Sequence, residues 1–262
     1  MQGNGSMRSL LARAGKRLRE LASSPPDYNN ATRDVDAAVL DIYRRVRPYT
    51  MTNLLRVDAL VRGVRHVVER AVPGALVECG VWRGGSVLAM LLQLQRMGVH
   101  DRDVWLYDTF EGMTTPGAAD TSPFERPALQ RWQDAVATGT RVWHQFFRPE
   151  SFNLGQVHQT LAATGYPVER IHFVRGDVLE TLPAQAPERI ALLRLDTDWY
   201  QSTRHELVQL YPRLALGGVL VIDDYGHWDG CRKAVDEYFA QGSVPPLLLN
   251  RIDYSARIAI KH

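Results

Sequence analysis

The stretch 75–97, "ALVECGVWRGGSVLAMLLQLQRM", decides the fold. Its first six residues form a short apolar run of strand length. Gly80, Gly84 and Gly85 mark a turn, and residues 86–97 read as a helix. The same alternation continues downstream. "VWLYD" (104–108), "IHFVRGD" (171–177), "IALLRLD" (190–196) and "GGVLVIDD" (217–224) are further apolar runs. A Thr203–Glu206 capping box predicts the start of one helix, and "GCRKAVDEYFA" (230–240) predicts another. The end, "PLLLNRIDYSARIAIKH" (246–262), reads as two strands joined near 253–255. Continuous apolar strands alternating with helices require a sheet covered on both faces. The expected architecture is α/β: a doubly wound, mostly parallel sheet of seven strands with an antiparallel edge strand. Ligands are then expected at the strand C-terminal ends.

Upstream of this unit, 33–46 and 52–70 have helical periodicity, and "SSPPDYNN" (23–30) has linker composition. Residues 1–30 read as a mobile or dimer-packing arm, so a homodimer is expected; residues 31–262 read as one domain. The interval 113–165 is too long for an ordinary connection. It carries Phe124, Trp132, Trp143, Phe146, Phe147 and Phe152, and includes a helical segment, "PALQRWQDAVATG". It leaves the sheet on the ligand side, which predicts a lid over a bulky ligand.

Of the 262 residues, 45% are hydrophobic, enough for a substantial core. A formal net charge of +2 gives no drive toward nucleic acid or an anionic membrane. Cys79 and Cys231 make no C-x-x-C motif and suggest no disulfide framework. No stretch reads as a membrane span or a signal-peptide core, so a soluble cytoplasmic protein is expected.

Three strand ends carry single acids. Glu78 precedes the glycine turn, where it would repel a pyrophosphate and suit an amine; the spacing G-x-x-x-G-G also departs from the dinucleotide fingerprint. Asp108 stands where an acid accepts bonds from ribose hydroxyls. Asp177 could receive an adenine amino group. A cationic amino-acid part, a ribose and an uncharged base together describe S-adenosylmethionine.

Two further strand ends carry paired acids, Asp196 and Asp198, and Asp223 and Asp224. In extended chain, residues i and i+2 share a side. Carboxylates converging at one sheet edge call for a hard divalent cation, and the lack of a Cys or His cluster disfavours zinc. Asp196, Asp223 and Asp224 form the expected Mg²⁺ ligand set. Asp198 is the expected base for a hydroxyl proton, with His227 as its rival.

The motifs "YTMT" (49–52), "VECGVWRGGS" (77–86), "LYDTFEGM" (106–113), "RGDV" (175–178), "LRLDTDWY" (193–200) and "VIDDYGHW" (221–228) resemble, in order, the macrocin-type sugar O-methyltransferases of antibiotic biosynthesis. The resemblance covers roughly residues 40–262. It implies a Rossmann-like class I methyltransferase fold that uses S-adenosylmethionine and Mg²⁺. It places cofactor contacts on Thr50 and Met51; on Glu78, Cys79, Gly80, Val81, Trp82 and Ser86; on Asp108, Thr109, Phe110, Glu111 and Gly112; and on Gly176, Asp177, Val178 and Asp196. It also places the metal on Asp196, Asp223 and Asp224, and the base on Asp198. The implied acceptor is a glycoside with neighbouring sugar hydroxyls, first the 4-hydroxyl of noviose on an aminocoumarin and second a macrolide deoxysugar. The rival readings are a metal-dependent hydrolase, a nicotinamide oxidoreductase and a non-catalytic S-adenosylmethionine-binding protein.

Overall fold

The computed structural model describes residues 34–241 and 245–262; the arm expected over 1–30 lies outside the described residues. Val35–His262 form one unit. Its elements are α1 (Ala37–Val46), α2 (Leu54–Glu69), β1 (Ala75–Cys79), α3 (Gly85–Arg96), β2 (Val104–Asp108), α4 (Ala128–Ala137), α5 (Leu154–Ala162), β3 (Ile171–Arg175), α6 (Val178–Thr181), β4 (Ile190–Leu195), α7 (Tyr200–Leu210), β5 (Leu214–Ile222), α8 (Asp229–Ala240), β6 (Asn250–Arg251) and β7 (Arg257–Ile260).

The seven strands run in the order β3-β2-β1-β4-β5-β7-β6. Strand order reverses at β1, which pairs in parallel with both β2 and β4. The β1–β4 border is therefore the switch point, where a crevice opens beyond the strand ends. β7 is antiparallel to β5, and the two-residue β6 covers its outer side, so the antiparallel strand lies one place in from the edge. This is the Rossmann-like methyltransferase architecture the motifs imply.

β1 and β4 are buried along their whole length. Val57, Leu60, Val64, Leu91 and Leu94 belong to a core with Leu76 and Leu192; Leu207, Leu210 and Val235 belong to a second with Val77 and Leu193. Each fully buried aliphatic side chain contributes about 1.5–3 kcal/mol. Among the described residues, no helix is long and apolar enough to cross a membrane.

One helix start differs from the sequence expectation. α7 begins at Tyr200 rather than at a capping box on Thr203, and Thr203 and Glu206 lie inside it, buried. The Tyr200 amide instead donates to Asp120 Oδ1 at 2.7 Å. Gly230 permits this, because a Cβ there would stand 1.9 Å from the same oxygen.

Candidate active site

A cavity of about 470 Å³ opens at the C-terminal ends of the strands. Of the expected cofactor contacts, all line it except Cys79, Phe110 and Glu111. Strand alternation explains Cys79: Glu78 faces the cavity, so its neighbour faces the opposite core. Phe110 turns inward through φ +53° and packs against Phe173. Glu111 is exposed and pairs with Arg175. The structure thus brings the other expected contacts together at the cavity and leaves these three side chains outside its lining.

The β1 end is built by close approach. Gly80 (φ +82°) lies so near β4 that a Cβ would stand 1.9 Å from the Asp196 carbonyl oxygen. A Cβ on Gly85 would stand 2.5 Å from Thr50 Cβ, so the Tyr49–Thr52 loop seats on the start of α3. Asp108 accepts from the Val81 and Trp82 amides at 2.7 and 2.9 Å and from Phe110 at 2.7 Å. Its carboxylate thus organises the glycine turn, beyond any ribose contact. Asp177 caps α6 through the Leu179 amide and also lines the cavity.

Glu78 is buried and receives Arg194 on Oε1, while its Oε2 has no partner among the described residues. Burial pushes its carboxyl up to about 8 against the pull of Arg194. That guanidinium is shared: Arg194 also reaches Asp196 Oδ2 and Asp223 Oδ1, each at 2.6 Å. An orphaned, electron-rich oxygen facing the cavity is what a cationic amine requires, so the residues fit the amino-acid end of S-adenosylmethionine.

The acid end also comes together. Asp196, Asp223 and Asp224 each present an oxygen within 4.8 Å of the others. All three donors are hard carboxylates, and the set fits Mg²⁺. Arg56 from α2 donates to Asp223 Oδ2 and, at 2.7 Å, to Asp253 Oδ2. Two arginines still leave the corner short of positive charge. Burial, then Asp198, Asp196 and Asp223, hold the Asp224 carboxyl well above the usual range.

Asp198 follows with φ +64° and accepts from Trp228 Nε1 at 2.7 Å. Burial, then Asp196, raises its carboxyl. His227 also lines the cavity, but both ring nitrogens are engaged: Nδ1 with Tyr254 Oη at 3.1 Å and Nε2 with Glu125 Oε1 at 3.3 Å. The 113–165 interval supplies Glu125, Trp143, Phe146 and Phe147 to the wall, and Trp82 Nε1 donates to the Phe146 carbonyl at 2.8 Å. Phe124 stacks on His227 with ring centroids 5.5 Å apart. Phe152 is buried behind Phe147.

The family profile described as Macrocin-O-methyltransferase (TylF) matches residues 4–259. The chain belongs to this family. It is 33% identical over 201 residues (77% of this chain, 71% of the relative) to demethyldecarbamoylnovobiocin O-methyltransferase of Streptomyces niveus. It is 37% identical over 190 residues (72% and 67%) to 8-demethyl-8-(2,3-dimethoxy-alpha-L-rhamnosyl)-tetracenomycin-C 4'-O-methyltransferase of Streptomyces olivaceus. Mycinamicin III 3''-O-methyltransferase of Micromonospora griseorubida is 33% identical (72% and 70%). The solved structure of the O-methyltransferase NovP superposes with a TM-score of 0.69 at 30% identity, covering 81% of this chain and 82% of that one.

Two residues of this O-methyltransferase site escape sequence reading. Arg194 interrupts the apolar run "IALLRL", and a buried arginine in a central strand is itself a signal that acids must meet it. Arg56 carries no such signal. It sits in an amphipathic helix, 167 residues from Asp223, and only the fold joins them.

Proposed function

We propose that this enzyme transfers the methyl group of S-adenosylmethionine to a hydroxyl of a deoxysugar on a glycosylated natural product, with Mg²⁺ bound by Asp196, Asp223 and Asp224. The observation that carries the reading is one cavity in which Glu78, its Oε2 unpartnered among the described residues, stands beside the three-carboxylate cluster, with Glu78 and Asp196 sharing the Arg194 guanidinium. Glu78 would take the cofactor's amine, and the Gly80–Ser86 turn would receive its remainder. A bound Mg²⁺ would lower the pKa of neighbouring sugar hydroxyls. Asp198 accepts the proton: its Oδ1 is steadied by Trp228, and its raised proton affinity suits a base near neutral pH. His227 is the weaker candidate because both its nitrogens already have partners. Holding acceptor oxygen and cofactor in one enclosed cavity supplies the orientation that in-line transfer needs.

The relatives' names support a sugar hydroxyl as the acceptor. The 4-hydroxyl of noviose on an aminocoumarin is the first candidate, supported by the novobiocin-related relative; a macrolide deoxysugar is the second, supported by the mycinamicin relative. The test is mass spectrometry of demethylated noviosyl aminocoumarins, rhamnosylated aromatic polyketides and macrolide glycosides incubated with enzyme, S-adenosylmethionine and Mg²⁺. A mass gain of one methylene on the sugar, lost on chelation, is the expected result. Turnover unchanged by chelation would remove the metal; no methylation of any glycoside would remove the function.

A further inference from the structure

Glu206 is a fully buried acid that belongs to neither end of the cavity. It lies on α7 with Thr197 Oγ1 at 3.0 and 3.1 Å from its two oxygens. The buried Cys79 thiol of β1 neighbours the same carboxyl. Burial raises the Glu206 carboxyl well above the usual range even against the Thr197 bond.

Thr197 is the residue between Asp196 and Asp198. Its carbonyl accepts from the Trp199 amide at 2.7 Å and from Ser202 Oγ at 3.2 Å. The Asp196 amide is held by the Cys79 carbonyl at 2.9 Å, and the chain then bends through the left-handed Asp198. Beyond that first bond the turn leaves the sheet ladder; Arg194 and Trp228 hold the Asp196 and Asp198 carboxylates at their tips, and Thr197 ties the segment between them to α7 and its cap. We infer that Glu206 is a positioning residue: through the Thr197 hydroxyl it sets the turn that aims Asp196 and Asp198 at one centre. The inference rests on the methyl-transfer reading above.

Four single variants and the Thr197→Val/Glu206→Leu double variant test it. Thr197→Val keeps the volume and removes the hydroxyl, and Thr197→Ser restores it. Glu206→Leu removes the partner, and Glu206→Gln keeps one. Each is assayed for kcat and KM with the glycoside identified by the assay above, and for Mg²⁺ and S-adenosylmethionine affinity by calorimetry. Thr197→Val and Glu206→Leu should lower kcat about tenfold to a hundredfold, the scale set by small misplacements of reacting groups. Mg²⁺ binding should weaken about threefold or more, while S-adenosylmethionine affinity stays within about twofold. The two conservative variants should hold kcat within about threefold, and the double variant should cost no more than the worse single one. If Glu206→Leu does not fold, the Thr197→Val and Thr197→Ser pair decides alone. A Thr197→Val enzyme with wild-type kcat and Mg²⁺ affinity overturns the clamp while leaving methyl transfer intact. So does a loss spread equally over kcat, cofactor affinity and melting temperature, which marks a purely structural bond. A wild-type protein that neither binds Mg²⁺ nor methylates overturns both readings.

Discussion

At Asp198 the proposed proton transfer rests on a single carboxylate. Asn tolerates the left-handed backbone and can still accept from Trp228 Nε1, so Asp198→Asn should fold normally. It cannot take a proton. We expect kcat to fall at least a hundredfold, with Mg²⁺ affinity within about threefold of wild type; stopped-flow turnover and calorimetry check both. Near-full turnover in metal-loaded Asp198→Asn would pass the role of base to His227. Beside this cluster, Glu78→Gln keeps the shape and removes the ionisable carboxyl. Arg194 still has Asp196 and Asp223, so thermal stability should stay within about 1 kcal/mol. S-adenosylmethionine affinity should fall about tenfold or more in a binding titration, because an amide cannot pair with an amine as a carboxylate does. The acids at this scale are legible because a charge that ends an apolar run stands out. Their arginine partners are not, because Glu78 and Arg194 are 116 residues apart and pair only when β1 and β4 lie side by side.

Among the elements, the β6–β7 hairpin is tied to α2 by one side chain. Asp253 accepts from Asn53 and Arg56 through Oδ2 at 2.8 and 2.7 Å. Through Oδ1 it accepts from the Ser255 and Ala256 amides at 2.9 and 2.8 Å. Burial pulls its carboxyl up, but the Ala256 amide and Arg56 outweigh it and leave it below the ordinary value of 3.8. A lowered folded-state pKa stabilises the fold above the ordinary value; that stabilisation is lost as pH falls below 3.8 toward the folded-state value. Asp253→Asn should therefore cost roughly 2 kcal/mol at pH 7, a melting-temperature drop of about 4–8 °C. The gap to wild type should narrow as pH falls below the ordinary carboxylate range, and a parallel pair of stability-versus-pH curves would count against this tie. The strands were legible because burial on both faces leaves near-continuous apolar runs. The start of α7 was not, because S/T-x-x-E reads the same inside a helix as at its start. The true cap, Asp120, comes from a loop 80 residues away.

Over the whole molecule, five cavity carboxyls, Glu78, Asp196, Asp198, Asp223 and Asp224, face two guanidiniums, Arg56 and Arg194. That imbalance was only half visible beforehand: the convergence of acids follows from the strand order, but the partial compensation depends on α2 folding across the sheet. Cations that arrive at these crowded carboxyls should therefore stabilise the native state. A ligand that binds only the folded state at a hundred times its Kd adds about 2.7 kcal/mol, or about 5–10 °C in a domain of this size. S-adenosylmethionine and Mg²⁺ should each raise the melting temperature on this scale, and a chelator should reverse the Mg²⁺ part. Asp224→Asn separates charge relief from simple ligation. Asp224 receives no guanidinium, and its carboxyl is buried beside three other acids. With no ion pair to lose among the described residues, the amide should leave metal-free melting equal to or higher than wild type, while abolishing the Mg²⁺-dependent rise. Scanning calorimetry of the two proteins, with and without Mg²⁺, reads both effects. A metal-free Asp224→Asn protein several degrees less stable than wild type would mean that the carboxylate serves the fold, and the cluster would lose its standing as a cation site.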